Sequence, residues 1–162
     1  MEGSPDFAMT NSPRPAAIRF DRLVEAAPAP VAQVREELGR WLQQKFDLDS
    51  IRLNDMVLAV YEAMANAAEF AYLAAAIPGS VTLCAEHDPA SSALTLTVVD
   101  TGRWREIDPN RRTLMRGRGL PLIKGLADQA SIDTTDAGTT VRMVFHEVAP
   151  VASRNGHKVA NF

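Results

Sequence analysis

The chain has 162 residues, 46% of them apolar and 23% charged. That is enough to bury a core, and it leaves space for one domain of the usual size, about 100–200 residues. A net charge of −3 argues against a general binder of nucleic acid or of anionic membrane, and the longest apolar run, 70–77, has eight residues where a spanning helix needs about 20.

The single cysteine, Cys84, rules out an intrachain disulfide framework and a multi-cysteine zinc site, and it suits a reducing, cytoplasmic setting. Its place in a strand-like run reads as a packed thiol rather than a nucleophile. At the start of the chain, MEGSPDFA precedes a second methionine, Met9, without the basic flank and apolar stretch of a signal peptide. The expected division is therefore an appended, flexible leader over 1–15, one domain over 16–146 and a flexible tail over 147–162.

Five of the ten prolines fall in the first 30 residues, bracketing a short predicted strand over 16–24. From Val31 to Phe46 the apolar positions Val31, Val34, Leu38, Trp41, Leu42 and Phe46 recur every three or four residues, which predicts an amphipathic helix just after Pro30, with Trp41 in the core. A longer helix is predicted from an N-cap at Asn54 to Leu73, ahead of Pro78 and Gly79. Strand-like runs at 81–86 and 93–99 predict an antiparallel hairpin whose turn is His87 to Ser92.

Residues 101–118 follow neither period and read as a long loop of the kind that carries function. Pro121 opens a short predicted helix, its inner side Leu122, Ile123, Leu126 and Ala127, with Gly119 at its start. Two β-rich runs, 130–135 and 139–146, joined by Asp-Ala-Gly, predict a last hairpin. This order implies an α+β two-layer sandwich, with helices on one face of a mostly antiparallel, mixed sheet.

Four short elements carry chemistry. Glu62 and Asn66, four apart, share a helix face, with Glu69 a turn further on. Such a pair can supply a general base and an oxygen ligand for Mg²⁺, or can be no more than a polar stripe. Asp100-Thr101-Gly102 ends a predicted strand, where a carboxylate can accept from a base amino group and a glycine admits a flat ring. Gly117-Arg118-Gly119-Leu120-Pro121 runs into a helix start, whose free amides favour phosphate, although it is neither a P-loop nor GxGxxG. Gly138-Thr139-Thr140 opens the final strand.

Between 103 and 118 stand six arginines against only Glu106 and Asp108. This stretch suits a lid over a polyphosphate or a docking surface for an acidic partner.

In this order and spacing, EAMANAAEFAY, VVDTGRW, RGRGL and GTTVRM resemble the four ATP-binding boxes of the GHKL ATPase superfamily, and in particular its small RsbW-like branch of anti-sigma-factor serine/threonine kinases. The resemblance spans about 16–145 and implies the GHKL (Bergerat) ATP-binding fold. It makes Glu62 the catalytic base, Asn66 the Mg²⁺ ligand, Asp100 the adenine anchor and Gly102 the close-approach glycine. Trp104, Arg116, Gly117, Arg118, Gly119 and Leu120 then belong to the lid and phosphate loop, and Thr139 sits near the adenine.

Two positions depart from the family pattern: Phe70 stands where many relatives have His, and Trp104 replaces the second glycine of Asp-x-Gly-x-Gly. Trp104 suits either stacking on a base or packing the lid shut.

The cofactors so implied are ATP or ADP with Mg²⁺. The implied partners are a sigma factor, a STAS-type anti-sigma-factor antagonist and a second copy of the chain, with no direct nucleic acid and no membrane. The implied activity is phosphorylation of the antagonist and sequestration of the sigma factor. The alternative is a nucleotide-gated binding module without kinase activity, and a third class, an Arg-loop binder of acidic partners or RNA, fits the overall charge less well.

Overall fold

The computed structural model describes residues 16–74, 79–101 and 119–152, with side chains at 16–69, 79–101 and 120–152. The elements are β1 (Arg19–Glu25), α1 (Pro28–Lys45), β2 (Phe46–Asp47), α2 (Ser50–Ala74), β3 (Ser80–Asp88), β4 (Ala93–Asp100), α3 (Gly119–Leu126), β5 (Gln129–Thr135), β6 (Gly138–Phe145) and β7 (Ala149–Pro150). The main sheet runs β1-β3-β4-β6-β5, and a two-residue ribbon pairs β2 with β7. The α+β sandwich is as expected, but every pairing among the described strands is antiparallel, so the parallel component of a mixed sheet is missing there. Only β3 and β4, and β5 and β6, are consecutive in the chain and form hairpins.

Alternation along the strands decides which face is covered. Phe20, Leu83, Ala85, Leu94, Leu96, Val98, Val141, Met143 and Phe145 point inward and are buried. Onto them pack Val31, Val34, Leu38 and Leu42 of α1 and Met56, Ala59, Val60, Ala63, Met64, Ala67 and Ala68 of α2. Trp41 joins this core as expected, its ring 5.3 Å from Phe20 and 5.4 Å from Phe46. No helix among the described residues is long and apolar enough to cross a membrane.

Local chemistry moved several predicted boundaries. Helix α1 begins at Pro28, three residues ahead of Val31, because proline's fixed φ suits a first helical turn. Helix α2 begins at Ser50 rather than at Asn54, since the Asp49 carboxylate accepts the N–H of Arg52 at 2.7 Å and its carbonyl accepts that of Leu53 at 3.0 Å. Asn54 is thereby an exposed position inside the helix. Asp49→Ala is expected to cost about 1 kcal/mol, the usual worth of an N-cap, read as a lowered denaturation midpoint with an unchanged slope.

His87 was expected in a turn but lies in β3, 3% exposed, with Nε2 donating to the Val148 carbonyl at 2.8 Å and its ring 5.2 Å from Phe46. The turn follows it, where Asp88 accepts from the N–H of Ala90 and the hydroxyl of Ser91. In α3, Ile123 is fully buried, but Leu122, expected inside, is 37% exposed. One residue is about 100° of helix, so adjacent positions cannot share a narrow inner stripe. Beyond residue 146, Val148 is buried and Ala149–Pro150 pairs with Phe46–Asp47, a contact too short to leave a periodic signal.

Candidate functional site

Helix α2 packs between α1 and α3 and over β3 and β4, so most of its surface is covered. Glu62 and Asn66 are half-buried on it, beside the buried small residues Ala59, Ala63 and Ala67. An alanine-rich surface keeps the helix flank low around the two polar side chains and holds them on a rigid element. Glu69 is exposed a turn further on, and Phe70 belongs to the same helix.

At the end of β4, Asp100 is half-buried and has the same strand parity as Leu94, Leu96 and Val98, which places it on the helix-covered face. In register it lies between Val81 of β3 and Thr139 of β6. Thr139 is 8% exposed.

The first residue of β6 explains how the two strands come so close. Gly138 has φ 140°, and a Cβ there would stand 1.9 Å from the carbonyl oxygen of Asp100 and 3.1 Å from the Cα of Thr101. Only a residue without a side chain lets β6 begin flush against that peptide. The Asp100 peptide is thus packed directly against the backbone of β6, and Gly138 is the residue whose part sequence reasoning missed. Its signal was present, a glycine directly before the paired threonines.

Helix α3 packs against α2 and starts at Gly119 as expected, so the amides of its first turn make no bond within the helix. Leu120 is half-buried against the core and Ile123 is fully buried, which anchors the helix. Gly102, Trp104, Arg116, Gly117 and Arg118 lie outside the described residues, as does the rest of the arginine-rich stretch.

The donors present fit a magnesium nucleotide. No three His, Cys, Asp or Glu among the described residues are arranged to hold a metal. Asn66 with Glu62 instead offers a few hard oxygens, the kind of set Mg²⁺ uses when phosphates and water complete its shell. Asp100 adds a carboxylate acceptor at the end of β4.

Two depressions, one lined by Asp47, Arg52, Asp128, His146 and Glu147 and the other by Phe46, Leu48, Leu53 and Pro150, include none of these residues. They belong to the other end of α2. Cys84 stands opposite Asp21 in register, and burial together with that carboxylate pushes its thiol above the ordinary range. A protonated thiol is a poor nucleophile, in keeping with the packed role expected for it.

Residues 24–145 match the family model described as the histidine kinase-like ATPase domain. The chain is also similar to the crystal structure of the RsbU and RsbW domains of a Mycobacterium tuberculosis protein, with a TM-score of 0.62 and 22% identity over 82% of this chain. It spans 33% of that longer chain, and the likeness is one of fold.

Proposed function

The chain belongs to the histidine kinase-like ATPase domain family, and from that premise we propose that it is an ATP-dependent protein serine/threonine kinase acting as an anti-sigma factor. In this reading it phosphorylates a STAS-type anti-sigma-factor antagonist, sequesters a sigma factor and works as a homodimer. The observation that carries the reading is the Gly138 contact on the Asp100 peptide, with Thr139 in register beside it, on the sheet face covered by the helix that bears Glu62 and Asn66.

Bound ATP would supply the phosphoryl group, and Mg²⁺ would offset its charge. Asp100 accepts from the adenine amino group, and Thr139 borders the base. Asn66 would give the metal an oxygen, and the amides that open α3 at Gly119 and Leu120 would hold phosphate oxygens. Glu62 takes the hydroxyl proton as the serine or threonine oxygen bonds to the γ-phosphorus and ADP departs, so catalysis rests on positioning and charge neutralisation. In the same reading Gly102 is the close-approach glycine beside the base, and Trp104, Arg116, Gly117 and Arg118 belong to the lid and phosphate loop.

The arginines between 103 and 118 favour a second reading, a nucleotide-gated binding module in which no transfer occurs. Both readings require the nucleotide site. Calorimetric titration of ATP with Mg²⁺ is expected to show magnesium-dependent binding that Asn66→Ala weakens at least about tenfold, or 1.4 kcal/mol. Absence of binding to folded wild-type chain would overturn both.

A further inference from the structure

The longest-range ion pair among the described residues joins Arg52, in the first turn of α2, to Asp128, in the corner between α3 and β5. The guanidinium donates to both carboxylate oxygens of Asp128 and, at 3.1 Å, to the carbonyl of His146 just past β6. Asp128 Oδ2 also accepts the backbone N–H of His146 at 2.6 Å, and the N–H of Asp128 donates to the Val144 carbonyl at 3.1 Å. The guanidinium lies 5.1 Å from the Phe145 ring centroid. The other two ion pairs among the described residues, Arg19–Asp21 and Arg22–Glu37, stay within β1 or join it to the adjacent α1.

We infer that the Arg52–Asp128 pair is a positioning brace that sets the spacing of α2 and α3 across the nucleotide site, an inference that rests on the ATP-binding reading above. Helices behave as stiff rods that rise about 1.5 Å per residue, so Glu62 and Asn66 stand roughly 15 and 21 Å along α2 from Arg52, and the start of α3 lies roughly 12 Å from its end. A link between the first turn of α2 and the corner two residues past the end of α3 holds those ends together and limits how far the two rods can splay where the phosphates and Mg²⁺ are proposed to sit.

Bidentate geometry suits that task, since two parallel bonds restrain direction as well as distance. The half-buried setting, 27% and 35% side-chain exposure, leaves the pair less screened than a solvated one. The hydrogen bond from Arg52 holds the Asp128 carboxyl below its ordinary range, so it is the charged acceptor that Arg52 meets at neutral pH.

The test measures two quantities on the full chain: Mg²⁺–ATP affinity, and the α2–α3 separation without nucleotide, from spin labels at Glu69→Cys and Leu122→Cys in a Cys84→Ser background. Arg52→Met and the milder Asp128→Asn are expected to broaden the separation and weaken ATP about three- to tenfold, the range typical of remote coupling. Arg52→Lys should recover part of the loss. Val34→Ala, a core change on α1 away from the brace, serves as the control for lost stability and should move neither quantity.

An unchanged separation in Arg52→Met, or an affinity loss no greater than that of Val34→Ala, overturns the brace. A broadened separation in a chain whose wild type binds no ATP upholds the brace and overturns the nucleotide reading instead.

Discussion

Glu62→Ala is expected to lower phosphoryl transfer from radiolabelled ATP to a serine-bearing antagonist by about 10²–10⁴-fold, the usual contribution of a positioned general base. ATP affinity by calorimetry should stay unchanged, because the proposed role of Glu62 begins only when the hydroxyl attacks. The folding cost should be small, since Glu62 is half-buried on α2 and alanine is the best helix former. Affinity and rate therefore separate cleanly in this variant. Full retention of transfer would reject Glu62 as the base. Tight nucleotide binding by the wild type, with partner capture but no phosphoserine, would move the chain to the gated-module reading.

Gly138→Ala is expected to damage stability and nucleotide binding together. Its Cβ would meet the Asp100 carbonyl oxygen at 1.9 Å, and that neighbour is backbone in a paired strand, which cannot swing aside as a side-chain tip would. Overpacking of this kind costs about 1–3 kcal/mol, and a side chain held at φ 140° adds about as much again. Relief by sliding β6 would break the Asp100–Thr139 register, so ATP affinity should fall by more than the tenfold set for Asn66→Ala. Gly125→Ala is the matched control, because a Cβ there meets nothing within 4 Å and alanine is favoured over glycine in a helix by about 1 kcal/mol. Chemical denaturation and calorimetry on the two variants decide the matter. A wild-type midpoint in Gly138→Ala would refute the close contact.

The misplacements in the sequence reading share a cause. Asn54 and Asp49 are both acceptable caps, and the choice fell to Asp49 because its carboxylate reaches the N–H of Arg52. His87 resembled a turn residue because a polar side chain next to Asp88 and Pro89 gave no sign of Val148, 61 positions away, as a buried acceptor. Leu122 and Ile123 are equally apolar, and only the packing of α3 on α2 decides which is inward. Strands β2 and β7 have two residues each, too few to show alternation.

The candidate site was legible unevenly for the same reason. Glu62 and Asn66 could be paired from their spacing, because four residues on a helix always return to one side. Asp100 and Thr139 could be named as ends of their strands, but their apposition depends on the β4–β6 register. The part played by Gly138 depends on a backbone contact 38 positions away.

By itself the sequence determined the fold class, the inner face of α1 and the family, because hydrophobic period, turn chemistry and short motifs are local properties of the chain. The tertiary structure alone decided that Gly138 closes on Asp100, that His87 is buried on Val148, and that Arg52 bridges to Asp128 across 76 positions. Those contacts join segments that meet only after the sheet has set its register and the helices have settled on it. No local pattern encodes them.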